Sequence, residues 1–336
     1  MSGSFKPWVF RSAVGRSVCE LQPGENLDLT CKFRGSLVGL AVGDALGTTV
    51  EFKRPGTFDP LSDIVGGGPF SLPVGAWTDD TSMALCLAES LIEKQGFDAK
   101  DQMERYVRWW RDGHLSSTGT CFDIGIATRT SLRRFETSGD AYAGDQFPDA
   151  AGNGALMRLV PIPLAYARNP VDLNIAAARS SRTTHGAMDS TDACRYYAEL
   201  IGGALNGATK EELIGGDPFS LNGSFEVESE KVDKVARGSF REKQPPEING
   251  GGYVIDTLEA ALWALYNTDD FESGALKVVN LGDDADTTGA VYGQLAGALY
   301  GIESIPDGWL EKLVMRDKIE NYADQLLKLS ERLANR

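Results

Sequence analysis

Glycine recurs at every fourth position in two segments near opposite ends of this chain. The stripes consist of Gly35, Gly39, Gly43 and Gly47, and of Gly289, Gly293, Gly297 and Gly301. A four-residue period places each stripe on one face of a helix. Each glycine costs a helix about 1 kcal/mol relative to alanine, so the stripes need a packing reason, and close approach of a neighbouring helix is the obvious one. We expect two buried helices of one bundle, which need not touch each other.

Other apolar residues follow the helical period along most of the chain. Further helices are predicted over residues 82–94, 101–110, 124–134, 174–181, 191–205, 254–266, 271–279 and 309–333. Strand signals are nearly absent, and the stretches rich in glycine or proline at 55–75, 137–153 and 214–252 are typical of loops. Because no linker divides the chain, the sequence predicts a compact all-α fold with a single domain.

The balance of charge is acidic, with 33 basic and 48 acidic residues and a net charge of −15. Such a surface repels nucleic acid and anionic membranes, and neither is expected as a partner. Five widely spaced cysteines without a CxxC pair favour free thiols in a reducing compartment. With no signal peptide or apolar span in evidence, a cytoplasmic location is predicted. Only two histidines are present, which excludes a zinc site that needs several of them.

Acidic residues and threonines cluster at the starts of two predicted helices. The clusters are Thr78, Asp79, Asp80 and Thr81, then Asp283, Asp284, Asp286, Thr287 and Thr288, and Glu51 follows the first glycine stripe. Hard divalent cations prefer such oxygen ligands, at roughly 2.0–2.6 Å. Helix capping explains either cluster alone. Two clusters with more acid than a cap requires favour a metal site, because convergent carboxylates without a cation would repel each other.

Six stretches of the chain carry a resemblance to one family. They are GSLVGLAVGDALGTTVEF, WTDDTSMAL, STGTCFDIG, GNGALMRLVPIPL, TTHG and NLGDDADTTGAVYGQLAGALYG, in order from Gly35 to Gly301. The sequence resembles the ADP-ribosylglycohydrolases, relatives of the enzyme that removes ADP-ribose from dinitrogen reductase. The resemblance implies an orthogonal helical bundle, an ADP-ribosylated protein as substrate, and cleavage of the glycosidic bond that joins ADP-ribose to a side chain.

The resemblance also implies a centre of two Mg²⁺ ions, with Mn²⁺ as an alternative cation. Its expected ligands are Thr78, Asp79, Asp80, Asp284, Asp286, Thr287 and Glu51. The ions can hold the ribose 2′ and 3′ hydroxyls and polarise a water. A carboxylate then acts as general acid or base, and Glu51 and Asp80 are both candidates for that role.

Further residues are expected to contact the substrate. The diphosphate needs local donors in an acidic protein, and the candidates are Gly119, Thr120, Cys121 and Phe122, together with Asn153 and Gly154. The family places a ligand-contacting histidine at His185, which could equally be a buried core residue. Phe122 and Tyr253 are candidates to stack on adenine, whereas Trp109 and Trp110 fit the core better.

Asp123 is the residue that bears most on the linkage. By resemblance to the arginine-directed branch it lies near the scissile bond, where a carboxylate can pair with a guanidinium through two hydrogen bonds. Its alternative role is a cap for the helix predicted from Ile124. Arginine-linked ADP-ribose is therefore the preferred substrate, and serine-linked or O-acetyl ADP-ribose remain alternatives.

Residues 1–31 precede the family pattern, which is assigned to residues 32–336. They carry Phe5, Trp8 and Phe10 beside basic residues, which suggests either a segment folded back on the domain or a docking arm. An arm that blocks a cognate ADP-ribosyltransferase toxin would make this an immunity protein with hydrolysis as a second activity. A prenyl-diphosphate enzyme is disfavoured, because that chemistry uses DDxxD and the late run here is DDAD.

Overall fold

Helices dominate the computed structural model, which describes residues 28–215 and 227–335. Its α-helices are α1 (Leu29–Gly47), α2 (Asp79–Lys94), α3 (Ala99–Asp112), α4 (Ile126–Ser138), α5 (Pro161–Tyr166), α6 (Pro170–Arg182), α7 (Met188–Leu205), α8 (Lys210–Ile214), α9 (Glu230–Ala236), α10 (Val254–Tyr266), α11 (Phe271–Val279), α12 (Ala285–Tyr300), α13 (Asp307–Lys312) and α14 (Arg316–Leu333). These residues contain no β-sheet, only three isolated bridges. The predicted all-α class is confirmed.

The predicted helices are present, with small differences at their ends. The sequence pattern missed the short helices α5, α8 and α9, the last of which lies inside the predicted loop 214–252. The single helix expected over 309–333 is two helices. The first, α13, ends at Lys312, after which Leu313 is extended, and the second begins after Met315, whose backbone is left-handed with φ +57°.

The two glycine stripes face each other. Helices α1 and α12 pack antiparallel, so that Gly35 lies against Gly297, Gly39 against Gly293, Gly43 against Gly289, and Gly47 against Ala285. A Cβ atom on any of these α1 glycines would lie within 3.0 Å of backbone atoms of α12 or of the residues just after it. The close approach that the stripes predicted is therefore backbone against backbone, which only glycine permits.

Polar contacts fix the register of this central pair within a buried apolar core. Ser36 donates to the carbonyl of Gln294 at 2.7 Å, and the Gln294 side chain donates to the carbonyl of Met157 at 2.8 Å. Arg34 binds both carboxylate oxygens of Asp324 in α14 at 2.8 Å. These bonds, to both α14 and the segment before α5, hold α1 and α12 at the centre of the molecule.

The structure also tests the predictions about the cysteines, membrane spans and the N-terminal arm. Cys86, Cys121 and Cys194 are free thiols, but Cys31 is disulfide-bonded, so the prediction of free thiols is wrong for that residue. No helix among the described residues is long and apolar enough to cross a membrane. Of the predicted arm, residues 1–27 lie outside the described part of the chain, whereas Leu29 and the two residues after it already belong to α1.

Candidate metal centre and substrate cavity

Asp44 organises the start of α2 from a neighbouring helix. Its carboxylate accepts from the backbone N–H groups of Thr78 at 2.8 Å and Thr81 at 3.1 Å. It also accepts from the hydroxyls of the same two threonines at 3.0 and 2.6 Å. Asp44 therefore satisfies free N–H groups of α2, and neither Asp79 nor Asp80 is needed as a cap. Helix capping therefore does not explain the aspartates of the first acidic cluster.

At the start of α12, too, the acidic side chains do not cap the helix. Asp284 occupies the N-cap position but makes no capping hydrogen bond. Instead its carboxylate accepts from the Asn153 amide at 2.7 Å, and that amide also donates to Thr257 at 2.9 Å. The backbone of Asp283 exchanges hydrogen bonds with Phe52 and Lys53. These contacts join the second acidic cluster to the segment that carries Glu51.

The structure brings the acidic clusters and Glu51 together. Carboxylate oxygens of Glu51, Asp123 and Asp286 all lie within 4.8 Å of one another. Thr78 Oγ1 lies 3.1 Å from an oxygen of Asp286, and Thr287 Oγ1 lies 3.3 Å from an oxygen of Asp80. Residues more than 200 positions apart in sequence thus share one pocket of oxygen atoms, as the sequence led us to expect.

Asp123 belongs to this cluster and does not cap a helix. Helix α4 begins two residues later than predicted, at Ile126, and its N-cap is Gly125. The Asp123 carboxyl is hydrogen-bonded to Asp79, and burial raises the pKa of Asp123 above its usual range. The carboxylate expected to face an arginine guanidinium therefore touches one of the predicted metal ligands.

Burial and mutual repulsion disfavour ionisation throughout the cluster. Burial, followed by the charges of neighbouring carboxylates, raises the pKa of Glu51 to about 9 and the pKa values of Asp79, Asp80 and Asp286 well above the usual range. For Asp44, burial raises the pKa to about 6 although four hydrogen bonds from Thr78 and Thr81 oppose the shift. A nearby cation would reverse these shifts by stabilising the ionised forms.

Several buried oxygen atoms of the cluster have no hydrogen-bond partner. They are Glu51 Oε2, Asp80 Oδ2 and Asp286 Oδ1. The hydroxyl of Thr78 has a single hydrogen but lies within 3.1 Å of both Asp44 and Asp286, so when both carboxyls are ionised one of these contacts has no hydrogen to share. Unpaired buried carboxylate oxygens are costly, and all of these donors are hard oxygens. The residues therefore fit one or more hard divalent cations.

A cavity of about 560 Å³ opens beside the cluster. Among the predicted residues its wall includes Glu51, Asp79, Asp123, Asn153, Gly154, His185, Asp284, Asp286 and Thr287. Thr78 and Asp80 lie behind this wall and are almost fully buried. A cavity of this size is typical of sites that bind a small organic ligand.

Other predicted contacts do not reach the cavity wall. The residues Gly119, Thr120, Cys121 and Phe122 are not part of the wall. Their segment folds on itself, because the Ser116 hydroxyl donates to the carbonyl of Thr120 at 2.6 Å. Trp109 is buried in the core as expected. The hydroxyl of Tyr253 is held by Asp189 and Lys231 at 2.6 and 2.7 Å, and its ring is not part of the wall.

His185 is both buried and part of the wall, so the two alternatives from the sequence are not exclusive. Its ring lies against Gly152 and Gly154, where a Cβ on Gly154 would lie 2.7 Å from Cε1 of the imidazole. Glycine at position 154 is therefore required for the ring to occupy this place. The GNG segment has a packing role in addition to any contact with substrate.

Sequence reasoning missed three features of the site. Asp44 lies within the first glycine stripe, and nothing in that glycine-rich context indicates that it binds α2. The exposed side chains of Phe52 and Ile126 line the cavity. Arg158 is fully buried behind the wall, and a lone arginine in an apolar stretch of sequence could have raised the question of its partner.

The fold and the site together define a class of all-α proteins. In this class the starts of α2 and α12 bring buried carboxylates to one cavity, and the glycine-lined contact of α12 with α1 holds the start of α12 in place. The chain belongs to the ADP-ribosylglycohydrolase family, whose model matches residues 25–335.

Individual relatives agree with that assignment. The chain is 43% identical over 313 residues to ADP-ribosylarginine hydrolase Tri1 of Serratia proteamaculans (strain 568), covering 93% of this chain and 82% of the relative. It is 36% identical over 302 residues to ADP-ribosyl-[dinitrogen reductase] glycohydrolase of Rhodospirillum rubrum, covering 88% and 95%. A solved structure titled "ADP-ribosylglycohydrolase-related protein complex" matches with a TM-score of 0.79 and 48% identity, over 90% of this chain and 99% of the other.

Proposed function

We propose that this protein hydrolyses the N-glycosidic bond between ADP-ribose and an arginine side chain of a modified protein, with Mg²⁺ as cofactor. The observation that carries the proposal is the position of Asp123, hydrogen-bonded to Asp79 and within 4.8 Å of Glu51 and Asp286. A guanidinium is the leaving group that best complements a carboxylate at this place. The relatives named for arginine-linked ADP-ribose support the same linkage.

The cation would be held by Thr78, Asp79, Asp80, Asp284, Asp286 and Thr287, with Glu51 beside it. When bound, it supplies Lewis acidity and an attachment point for the ribose hydroxyls. The unpartnered oxygens of Glu51, Asp80 and Asp286 support this ligand set. Mn²⁺ has the same preference for hard oxygen ligands and is the alternative cation.

The remaining steps are assigned to side chains of the cavity. The water oxygen bonds to the anomeric carbon while the bond from that carbon to the guanidino nitrogen breaks. Glu51, which is part of the cavity wall, takes the proton from the water and returns it to the leaving guanidine, which departs as a guanidinium. Asp123 holds that group through two parallel hydrogen bonds, so its ionised form is the active one. Asp80, the other candidate from the sequence, is fully buried behind the wall and is assigned only to the cation.

The proposal is tested by the variants Asp80→Ala and Asp286→Ala on a peptide with one arginine-linked ADP-ribose. Release of ADP-ribose should fall below detection in both, with the helical circular dichroism retained. Asp98→Asn is a matched control, because Asp98 caps α3 away from the cavity and asparagine caps equally well. Near wild-type turnover in either alanine variant would refute the assignment.

The linkage needs its own comparison. Matched peptides that carry ADP-ribose on arginine or on serine should be hydrolysed with a clear preference for arginine. Asp123→Asn should lower the rate on the arginine peptide by about 10²-fold or more, because it removes a charge that acts on the leaving group. Equal turnover of both peptides by the unaltered protein would contradict the arginine assignment and leave the metal centre unaffected.

The partner and location remain proposals of the same kind. The substrate is an ADP-ribosylated protein, and a cognate ADP-ribosyltransferase toxin is a second proposed partner through residues 1–31. Deletion of residues 2–31 with separate assays of toxin binding and hydrolysis tests the docking role, which unchanged binding would reject. A cytoplasmic location is supported by the free thiols of Cys86, Cys121 and Cys194, but not by the disulfide of Cys31.

A further inference from the structure

Arg158 is a fully buried cation without an acidic partner. Its side chain has no exposed surface, and no carboxylate of the described residues lies within ion-pair distance of it. Its neighbours are neutral: the ring of Tyr106 lies 4.8 Å from the guanidinium carbon, and Nε has no hydrogen-bond partner. A buried charge is normally paired, so an unpaired guanidinium behind a cavity wall calls for an explanation.

The guanidinium contacts Gly154, which is part of the wall, and the hydroxyls of Thr183 and Thr184, which precede the wall residue His185. One nitrogen donates to the carbonyl of Gly154 at 2.5 Å, and another donates to the hydroxyl of Thr184 at 2.7 Å. The Gly154 carbonyl is thereby fixed towards Arg158, while the N–H of Gly154 has no acceptor in the described part of the chain. Arg158 thus acts on Gly154, which is a cavity residue, and on Thr184, which leads to another.

Thr184 connects Arg158 to His185 by a second hydrogen bond. Its hydroxyl oxygen lies 2.8 Å from Nδ1 of the imidazole. The hydroxyl already accepts from Arg158, and among the residues that the structure describes its only other neighbour in hydrogen-bond distance is Nδ1. If Nδ1 carried a proton, the buried threonine hydrogen would have no acceptor, which is unfavourable. The threonine therefore donates to Nδ1, and the proton of the neutral imidazole is on Nε2.

The surroundings keep that imidazole neutral. Burial, and secondly the charge of Arg158, lower the pKa of His185 to about 3. Nε2 lies on the side of Gly152 and Gly154, where the absence of side chains leaves room for the ring. Because His185 is part of the cavity wall, its Nε2–H is the ring donor available to a ligand.

We propose that Arg158 is a positioning residue for ligand binding: through Thr184 it fixes His185 as the Nε2–H tautomer, and through the Gly154 carbonyl it orients the adjoining backbone. The wall then presents N–H donors backed by a buried positive charge. Such a wall suits an anionic oxygen ligand, and on the proposed function that ligand is the diphosphate of ADP-ribose. It offers the acidic protein a local place for a negatively charged substrate.

The tautomer can be observed directly by nitrogen NMR of protein labelled with ¹⁵N-histidine. The chain has only two histidines, His114 and His185, and a His114→Gln variant assigns the remaining signals. We expect His185 of the unaltered protein to carry its proton on Nε2. A proton on Nδ1 would overturn the proposal, whatever the protein hydrolyses.

Variants of the threonine pair test the contact itself. Thr184→Val should lose the single tautomer and bind ADP-ribose about fivefold more weakly, the equivalent of one net hydrogen bond. Thr184→Ser keeps the hydroxyl and should restore both. Thr183→Val is the matched control, because Thr183 is equally buried and its hydroxyl also lies near Arg158, at 3.5 Å, but the hydrogen bond to His185 Nδ1 comes from Thr184. An unchanged tautomer in Thr184→Val would overturn the proposal.

Arg158 is tested with Arg158→Lys and Arg158→Met. Either variant should give mixed tautomers in ¹⁵N spectra and weaker ADP-ribose binding in calorimetry. A variant that folds and keeps the pure Nε2–H form would show that the arginine has no positioning role. If both variants fail to fold, Thr184→Val and Thr184→Ser decide the outcome.

Discussion

The two glycine stripes form one contact between α1 and α12, here called the glycine seam. Alanine substitutions at its two ends should have separate effects on the free energy of unfolding and on the affinity for metal. A Cβ on Gly47 would lie within 3.0 Å of the carbonyl of Ala285 and of the backbone nitrogen of Asp286. A Cβ on Gly35 would meet backbone atoms of Gly297, Gly301 and Ile302 instead. Gly47→Ala therefore presses on a predicted metal ligand, whereas Gly35→Ala presses on the opposite end of α12.

The cost can be worked out from the contacts. Overpacking typically costs about 1–3 kcal/mol, and alanine returns about 1 kcal/mol through its helix propensity. The backbone of Gly47 is right-handed, with φ −73°, so alanine suffers only the clash. Because the clash is with backbone atoms, the upper end of the overpacking range applies, and both variants should lose about 2 kcal/mol of unfolding free energy after the gain in helix propensity is subtracted. In Gly47→Ala the added Cβ should also displace the backbone of Asp286 and so weaken metal binding by roughly 10- to 100-fold. Loss of a residue that positions a metal ligand has an effect of this size.

Urea unfolding in EDTA measures the first effect, and titration calorimetry with Mg²⁺ or Mn²⁺ measures the second. Gly308→Ala is the control, because a Cβ there meets nothing within 4 Å, and its stability should not fall. Equal losses of metal affinity in Gly35→Ala and Gly47→Ala would refute the reasoning, since the seam would then act on the site only through general destabilisation. Unchanged stability in both would refute the close packing itself.

Three further outcomes are expected. Asp44→Asn removes the charge that accepts four hydrogen bonds at the start of α2 and should weaken Mn²⁺ binding in calorimetry by roughly 10- to 100-fold; unchanged affinity would contradict the anchoring role. In EDTA the melting temperature should fall between about pH 5 and 9, because burial raises the folded-state pKa of Glu51 to about 9, so the stability present below its unfolded pKa is lost as the pH rises. Added Mg²⁺ should raise the melting temperature more at pH 8 than at pH 6, and a flat melting profile would count against the buried cluster. Gly154→Ala should bind ADP-ribose about tenfold more weakly, the equivalent of 1.4 kcal/mol, because its Cβ would displace the His185 ring; wild-type affinity would show that the ring is not a ligand contact.

Periodic features of the chain could be predicted well from sequence. The glycine stripes require a close helix contact, and the helices with a long apolar period appear within a few residues of their expected ends. The convergence of the acidic clusters was also predictable, because more acid stood at two helix starts than caps require. In each case the composition of a single stretch already showed that it needs a neighbour, which was a close helix for a glycine stripe and a cation for an acidic cluster.

Features that depend on partners distant in sequence could not be predicted. That Asp44 caps α2 from another helix depends on a contact across 34 positions, and the contact from Arg158 to His185 needs a threonine 26 positions away. The short helix α5 starts with Pro161 and has too few residues to show a period. Met315 gives no signal for a left-handed backbone, because residues other than glycine rarely adopt it.

The glycine seam and the acidic cluster are two consequences of one arrangement. Because α1 and α12 run antiparallel, the end of α1 meets the start of α12, and Glu51 follows one while Asp284 and Asp286 begin the other. The starts of α2 and α12 both face the cluster and bring the positive ends of their helix dipoles. The dipoles do not suffice, since the pKa values of the carboxyls remain raised. The repulsion that remains is what a divalent cation would offset, so a helix pair held rigidly by backbone contact keeps the ligands together before any cation binds.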